Sequence, residues 1–185
     1  MKKKSLITGI LLCAVLFIGG CGEKEAEIQA ELKQEIPTYM AAQAEKATVT
    51  EENLSFYLPE GSKVIAKQEN NVTLKTEYGE FVIFANPVEA NDSQTNYEIL
   101  KKMNKEKNVF IDETFDADGF QYVYIIKDKK YEVSVGVGGV KASALVKKKG
   151  NLQAVVQQLI QVVKSVSVIQ DETDASQESA KTEEK

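Results

Sequence analysis

The chain has 185 residues and a formal net charge of −5, with 23 lysines and no arginine, histidine or tryptophan. Without histidine, a Ser-His-Asp triad, a Cys-His pair and an imidazole metal site are excluded. Without arginine, the bidentate guanidinium contacts that read phosphates and base edges are missing, so we expect no nucleic-acid partner.

The first twenty residues have the three parts of a secretory signal peptide. Lys2, Lys3 and Lys4 form a basic start, and the uncharged run SLITGILLCAVLFIGG follows them. This run is short for a bilayer-spanning helix, which needs about 20 apolar residues. We therefore predict that residues 1–20 are removed by cleavage between Gly20 and Cys21.

The segment IGGC at residues 18–21 resembles the lipobox of bacterial lipoproteins. The resemblance implies that the Cys21 sulfur receives a diacylglyceryl group and that Cys21 becomes the new N-terminus. Two acyl chains on one residue hold a protein stably on a membrane. We expect a lipid-anchored, palmitate-bearing protein on the extracytoplasmic face of a bacterial cell membrane, from a Gram-positive source. An uncleaved anchor or an ordinary secretory peptide is the alternative.

Residues 21–49 are predicted to form the lipidated N-terminus and a spacer. Ile28, Leu32 and Ile36 recur every four residues, and Pro37 ends the pattern. So thin an apolar stripe favours a helix that is solvated or loosely docked over one that forms core. A short coiled-coil contact is the alternative.

Residues 50–169 are predicted to form one globular α+β domain. The expected architecture is an antiparallel meander of about six strands, flanked by one mid-chain and one C-terminal helix. Strand patterns occur in residues 53–61, in three apolar runs within 63–87, and in 108–115, 120–127 and 131–137. A further strand is expected in VKASALVKK, residues 140–148.

Alternation and helical spacing assign faces to these elements. Phe120, Tyr122, Tyr124 and Ile126 should share one face of their strand, as should Tyr131, Val133, Val135 and Val137 of the next. The mid-chain helix within residues 93–108 has Tyr97, Leu100 and Met103 on one side, with Ser93 as the expected cap. The last helix carries a wide apolar stripe and is expected to start at the cap Asn151; the stripe holds Leu152, Val155, Val156, Leu159, Val163 and Val166.

The C-terminal residues 170–185 are polar and charged and contain no aromatic residue. They hold too little apolar surface to order themselves, so we predict a disordered acidic tail.

The order of elements, the opening FYLPEG and the closing VVKSVSV are similar to the PsbP-like superfamily, which includes DcrB-type bacterial lipoproteins. The resemblance covers residues 53–168. Ser62 and Lys63 stand where the family commonly has a tryptophan, and Val166 replaces a closing phenylalanine. The resemblance implies an antiparallel sheet flanked by helices and a non-catalytic binding or assembly role.

Carboxylates around the segment TFDADG suggest two kinds of chemistry. Asp116, Asp118 and Gly119 fit positions three, five and six of a calcium-binding EF-hand loop, but Ile125 occupies position twelve, where a bidentate Glu is needed. A hairpin turn is the favoured interpretation. Asp112, Glu113 and Asp116 could pair as acid and base, yet they flank this turn and are expected to be solvated.

Glycines and lysines supply two more candidates. The segment GVGGV, residues 136–140, lacks the following helix that a phosphate cradle needs, so we predict a tight turn or bulge. Lys147, Lys148 and Lys149, with Lys127, Lys129, Lys130 and Lys141, could form a basic patch for anionic lipids or wall polymers. A solvated strand end is the alternative.

These observations favour a non-catalytic binding or accessory module that is tethered to the membrane through a diacylglyceryl anchor. We expect an envelope protein or polymer as its partner, and no cofactor, metal or catalytic residue. A carboxylate-dependent envelope hydrolase and the extracellular sensor domain of a signalling system are the alternatives.

Overall fold

The computed structural model describes residues 25–169. The predictions for residues 1–20, for Cys21 and for the tail 170–185 lie outside them.

The described chain forms three α-helices, a short 3-10 helix at Lys149–Asn151 and ten strands. The helices are α1 (Glu25–Ala41), α2 (Thr95–Met103) and α3 (Leu152–Ser165). The strands are β1 (Val49–Glu51), β2 (Leu54–Phe56), β3 (Lys63–Gln68), β4 (Asn71–Thr76), β5 (Gly79–Ala85), β6 (Asn108–Phe115), β7 (Gln121–Lys127), β8 (Tyr131–Val137), β9 (Val140–Val146) and β10 (Ser167–Val168).

The main sheet is antiparallel and has seven strands in the order β3-β4-β5-β9-β8-β7-β6. Its two hairpin series, β3–β5 and β6–β9, meet where β5 pairs with β9. The α+β class, the mid-chain helix and the C-terminal helix are confirmed, and the sheet has one strand more than the approximate number expected.

A second, small sheet closes the domain. It has the order β1-β2-β10, so the residues after α3 pair with the strand that opens the predicted domain. The Tyr57 backbone N–H also donates a hydrogen bond of 2.8 Å to Ser165 Oγ at the end of α3. The two ends of the domain are thereby held together.

The larger core lies between the main sheet and α3. Alternate residues of the central strands point into it, including Ile83, Val133 and Val135, which are fully buried. The predicted stripe of α3 faces them: Leu152, Val155, Val156, Leu159 and Val163 are buried, whereas Val166 lies after the helix and is half-buried. The period-two pattern thus placed Val133 and Val135 correctly, and the period-3.6 pattern placed the α3 stripe correctly except for Val166.

Helix α1 belongs to this core, which corrects the prediction of a solvated spacer. Its apolar residues Ile28, Leu32, Ile36 and Met40 are all buried and pack in the same cluster as α3 and the sheet. The helix continues through Pro37 to Ala41 instead of stopping before it. Burial of four apolar side chains offsets the backbone hydrogen bond that Pro37 cannot donate. The globular unit therefore includes α1, which lies before residue 50, where the domain was predicted to begin.

Helix α2 covers part of the opposite face of the sheet. Its Tyr97 packs on Tyr122, Tyr124 and Ile126 of β7 and on Phe120 directly before that strand, and these four residues share one face as predicted. The ring centroids of Tyr97 and Tyr122 lie 5.4 Å apart. Since this second cluster consists of Tyr97, three residues of β7 and the adjoining Phe120, α2 covers only the β7 side of the sheet.

The predicted helix caps are only partly right. Helix α2 has Gln94, not Ser93, at its N-cap, and no side chain caps it there. Ser93 Oγ donates a hydrogen bond to Glu89 and accepts one of 3.3 Å from the backbone N–H of Thr95, the first residue of α2. Asn151 does hold the N-cap position of α3, but its side chain makes no capping hydrogen bond.

Candidate functional site: a lysine-rich end and an open sheet face

The antiparallel register gathers most lysine-bearing turns at one end of the main sheet. In β3 and β4, Lys63 pairs with Lys75. In β7, β8 and β9, Tyr131 pairs with both Lys127 and Val146. These pairs lie at the same end of the antiparallel sheet, so the turns next to them lie there too. We call it the lysine end and define it by residues 59–63, 75–80, 104–108, 127–131 and 146–151. These segments hold ten lysines and five acidic residues.

The structure divides the predicted Lys147–Lys149 patch between two surfaces. Lys147 and Lys148 line an open groove of about 470 Å³, together with Lys75 and Lys130 from two other turns and with Glu77 and Glu80. Lys149 lies on the other side, in a small cleft with Ile28 and Glu31 of α1. The groove therefore combines three of the predicted lysines, Lys130, Lys147 and Lys148, with Lys75, which sequence spacing could not associate with them.

The N-terminus of α1 is held at the lysine end by polar contacts. The Lys127 ammonium donates a short hydrogen bond to the Glu25 carboxylate, and the Tyr131 hydroxyl donates one of 3.2 Å to the same group. The hydrogen bond from Lys127 holds the pKa of the Glu25 carboxyl below its ordinary value and raises the pKa of Lys127. Glu25 thus neutralises one lysine where the described chain begins.

The opposite end of the sheet, which we call the acidic end, has the reverse charge. Its turns are residues 69–70, 85–95, 115–121 and 137–140, and they contain five acidic residues and no lysine. All four turns are joined by backbone hydrogen bonds: Ala85 N donates to Asn70 O at 3.0 Å. Phe120 N donates to Asn91 O at 2.9 Å, Gly138 N to Phe120 O at 2.8 Å, and Asn86 N to Gly139 O at 3.0 Å.

Both glycine-containing segments form turns at the acidic end, as predicted. Asp118 and Gly119 have positive φ angles of 55° and 112° between β6 and β7. Gly138, with φ of 52°, lies in the β8–β9 turn, and strand β9 follows it directly. A Cβ on Gly119 would lie 2.4 Å from the backbone oxygen of Asn91, so the turn packs against the 85–95 loop. Within residues 25–169, no three acidic residues are grouped as metal ligands would be.

The register of β6 separates two of the candidate catalytic carboxylates. Asp112 pairs with Tyr124 and Glu113 with Val123, so their side chains leave opposite faces of the sheet. Asp112 accepts a hydrogen bond of 2.8 Å from the Tyr97 hydroxyl and lies 3.8 Å from the Lys101 ammonium. It anchors α2, and no acid–base pair with Glu113 is formed.

Sequence analysis did not identify the uncovered part of the sheet as a candidate surface. Strands β4, β5 and β9 expose a face that α2 does not reach, which we call the outer face: Thr73, Val82, Phe84, Lys141, Ser143 and Leu145. Val82 is 42% exposed and Leu145 is 44% exposed. The Lys141 ammonium lies 5.9 Å from the centre of the Phe84 ring, and burial lowers the pKa of Lys141. The sequence did contain a signal for this surface. Val82, Phe84 and Leu145 are apolar at positions of β5 and β9 that point away from the core, where polar residues are usual.

None of the helices in residues 25–169 is long and apolar enough to span a bilayer. Compared with models of protein families, with curated proteins and with solved structures, the chain gives no match. The similarity to the PsbP-like superfamily therefore stays a prediction.

Proposed function

We propose that the chain is a bacterial lipoprotein, anchored through Cys21 on the extracytoplasmic face of the cell membrane, whose domain is a non-catalytic binding or accessory module. The observation that carries the anchor is the sequence itself: a basic start, an uncharged run and the small residues Gly19 and Gly20 directly before Cys21. A peptidase that cleaves before a lipidated cysteine needs small residues at these positions.

The outer face supports the binding role. Val82 and Leu145 expose apolar surface beside the half-buried Phe84 and Lys141, on strands whose other side forms the core. A rigid sheet can present such a surface to a partner without rearranging. We propose an envelope protein or polymer as the partner. The separation of Asp112 from Glu113 gives no support to the hydrolase alternative.

Acylation of Cys21 is tested with two cysteine variants. Membranes from cells expressing the full chain are labelled with an alkyne analogue of palmitate, and the N-terminal peptide is examined by mass spectrometry. The wild type and Cys13→Ala should carry label on an N-terminal Cys21, because Cys13 leaves with residues 1–20. Cys21→Ala should accumulate as an unlabelled precursor.

A Cys21→Ala chain that is cleaved normally and stays in the membrane fraction would contradict the anchor. Loss of label from Cys13→Ala at an unchanged protein level would contradict it too, since the label would then report on Cys13.

The binding role is tested by photocrosslinking in intact membranes. A benzophenone amino acid is placed at Val82 on the outer face or, as the matched control, at the exposed Gln157 of α3. We expect a discrete adduct from position 82, of the same mass in repeated preparations, and none from position 157. Equal adducts from both positions, or none from position 82, would contradict a partner on the outer face.

A further inference from the structure

The positively charged end of this domain is also the end at which helix α1 begins. The segments that define the lysine end hold five more positive than negative charges, and two of these are offset by Glu25 on Lys127 and by Glu132 on Lys107. The acidic end carries five negative charges. Helix α1 begins at the lysine end, where Glu25 contacts Lys127 and Tyr131. The domain therefore has a charge axis along its strands, and its N-terminal attachment lies at the positive pole.

The chain leaves the domain at the negative pole. The Ile169 N–H donates a hydrogen bond of 2.8 Å to Asn53 O, and Asn53 Nδ2 donates one of 2.7 Å to Asn70 Oδ1 in the β3–β4 turn of the acidic end. Residues 170–185, which continue from this point, contain six acidic residues and two lysines.

The distance from Cys21 to the domain is short. Four peptide units join Cys21 to Glu25 and can reach at most about 14 Å. The seven-residue central strands are roughly 23 Å long, so the lysine end is the nearer pole to an anchor on Cys21. A spacer of residues 21–49, as the sequence suggested, would have let either pole approach the membrane.

We propose that the lysine end rests on anionic phospholipid headgroups and holds the domain upright, with the acidic end pointing away from the bilayer. This inference rests on the proposed acylation of Cys21. Lysines in the turns supply attraction to a negatively charged surface within a Debye length, and they need no specific pocket for it. The acidic end is repelled by the same surface. The outer face then stands perpendicular to the membrane and open to a partner.

The groove lysines are the part of this surface best placed to act together. Lys75, Lys130, Lys147 and Lys148 come from three different turns and line one open groove. Glu77 and Glu80 also line it, so the groove is not purely basic and its attraction should depend on the charge density of the lipid. We expect orientation to be lost on neutral membranes although attachment is kept.

The experiment measures which pole is nearer the bilayer. The full acylated chain is purified with one added cysteine, either Asp128→Cys in the β7–β8 turn at the lysine end or Asp116→Cys in the β6–β7 turn at the acidic end. Both positions are exposed, and both changes remove one negative charge. Because acylation blocks Cys21, a dye labels only the new thiol. Energy transfer to acceptors on lipid headgroups then reports the distance of each pole.

We expect several-fold more transfer from position 128 than from position 116 on vesicles of phosphatidylcholine with phosphatidylglycerol. The difference should shrink on phosphatidylcholine alone. It should also shrink in about 0.5 M salt, where the Debye length falls to about 4 Å.

Matched charge variants identify the residues responsible. Lys130→Gln, Lys147→Gln and Lys148→Gln together should abolish most of the difference between the two dye positions. Lys33→Gln, Lys46→Gln and Lys67→Gln remove the same charge from exposed positions outside the lysine end and should leave the difference unchanged. Equal transfer from both dye positions on anionic vesicles, or equal effects of the two triple variants, would overturn the proposal.

Failure of the anchor gives a different result. Flotation of the wild-type chain with phosphatidylcholine vesicles depends on the acyl chains and not on lysine. A chain that floats with neutral vesicles but shows no orientation on anionic ones refutes the docking alone. A chain that does not float with neutral vesicles and carries no acyl mass refutes the proposed anchor.

Discussion

Tyr122 and Gly136 show how one small residue determines the packing beneath α2. The two residues pair across β7 and β8, and the Tyr122 ring lies over Gly136. A Cβ built on Gly136 would lie 2.1 Å from Tyr122 Cε1. The Tyr122 hydroxyl is buried with no hydrogen-bond partner among the described residues, and burial raises its pKa. Because the Tyr122 side chain is 1% exposed and packs against the rings of Tyr97 and Phe120, the ring has little room to move away from Gly136.

We predict that Gly136→Ala destabilises the domain by about 1–3 kcal/mol, because the added methyl group forces the Tyr122 ring out of its site. The measurement is urea denaturation followed by tyrosine fluorescence. Gly150→Ala is the control, since nothing lies within 4 Å of a Cβ there, and its free energy of unfolding should change by less than about 1 kcal/mol. Equal midpoints for the two variants would show that the ring can be displaced at no cost.

Sequence alone could predict part of this arrangement. The alternation in FQYVYIIK placed Tyr122 and Tyr124 on one face correctly, because strand residues point alternately to the two sides. The need for glycine at position 136 depends on which residue of β7 lies opposite. That register is set by the whole hairpin and not by the residues near Gly136.

At the scale of elements, helix α3 was predictable and α1 was not. The stripe of α3 is wide and uninterrupted, so its burial follows from the pattern alone. Helix α1 has one apolar residue every four positions, and Pro37 interrupts the pattern before Met40. Its burial depends on long-range contacts with α3 and β6, which local sequence does not contain.

Polar contacts confirm that α1 is docked along its length. Gln29 Nε2 donates a hydrogen bond to Phe110 O, and Lys164 of α3 donates hydrogen bonds to the carbonyl oxygens of Met40 and Ala42. The first contact holds the N-terminal part of the helix to β6, and the others satisfy carbonyl groups at its C-terminal end. Tertiary packing has here overridden the weak local preference that led to the spacer prediction.

At the scale of the whole molecule, the candidate surfaces arise from topology. The lysines of the groove are separated in sequence by up to 73 positions, from Lys75 to Lys148. The antiparallel register brings them to one end and the acidic turns to the other. The sequence indicated a local basic patch, but it could not predict this segregation, because a different strand order would mix the two sets of turns.

The same topology makes residues 25–169 a single folding unit, and Leu32 tests this. Leu32 is 1% exposed in the core formed with α3, on the opposite side of the sheet from the Tyr97–Tyr122 cluster. We predict that Leu32→Ala lowers the free energy of unfolding by about 2–5 kcal/mol.

Because a small domain unfolds cooperatively, the urea midpoints from far-ultraviolet circular dichroism and from tyrosine fluorescence should fall together in Leu32→Ala. The exposed neighbour Lys33 is the control, and Lys33→Ala should stay within about 0.5 kcal/mol of the wild type. If Leu32→Ala unfolded α1 first and left the tyrosine transition in place, α1 would be a separate unit that unfolds independently of the sheet. Either pole of the domain could then reach the membrane. A joint shift of both transitions instead keeps the N-terminus fixed at the lysine end, which is the geometry that the proposed orientation requires.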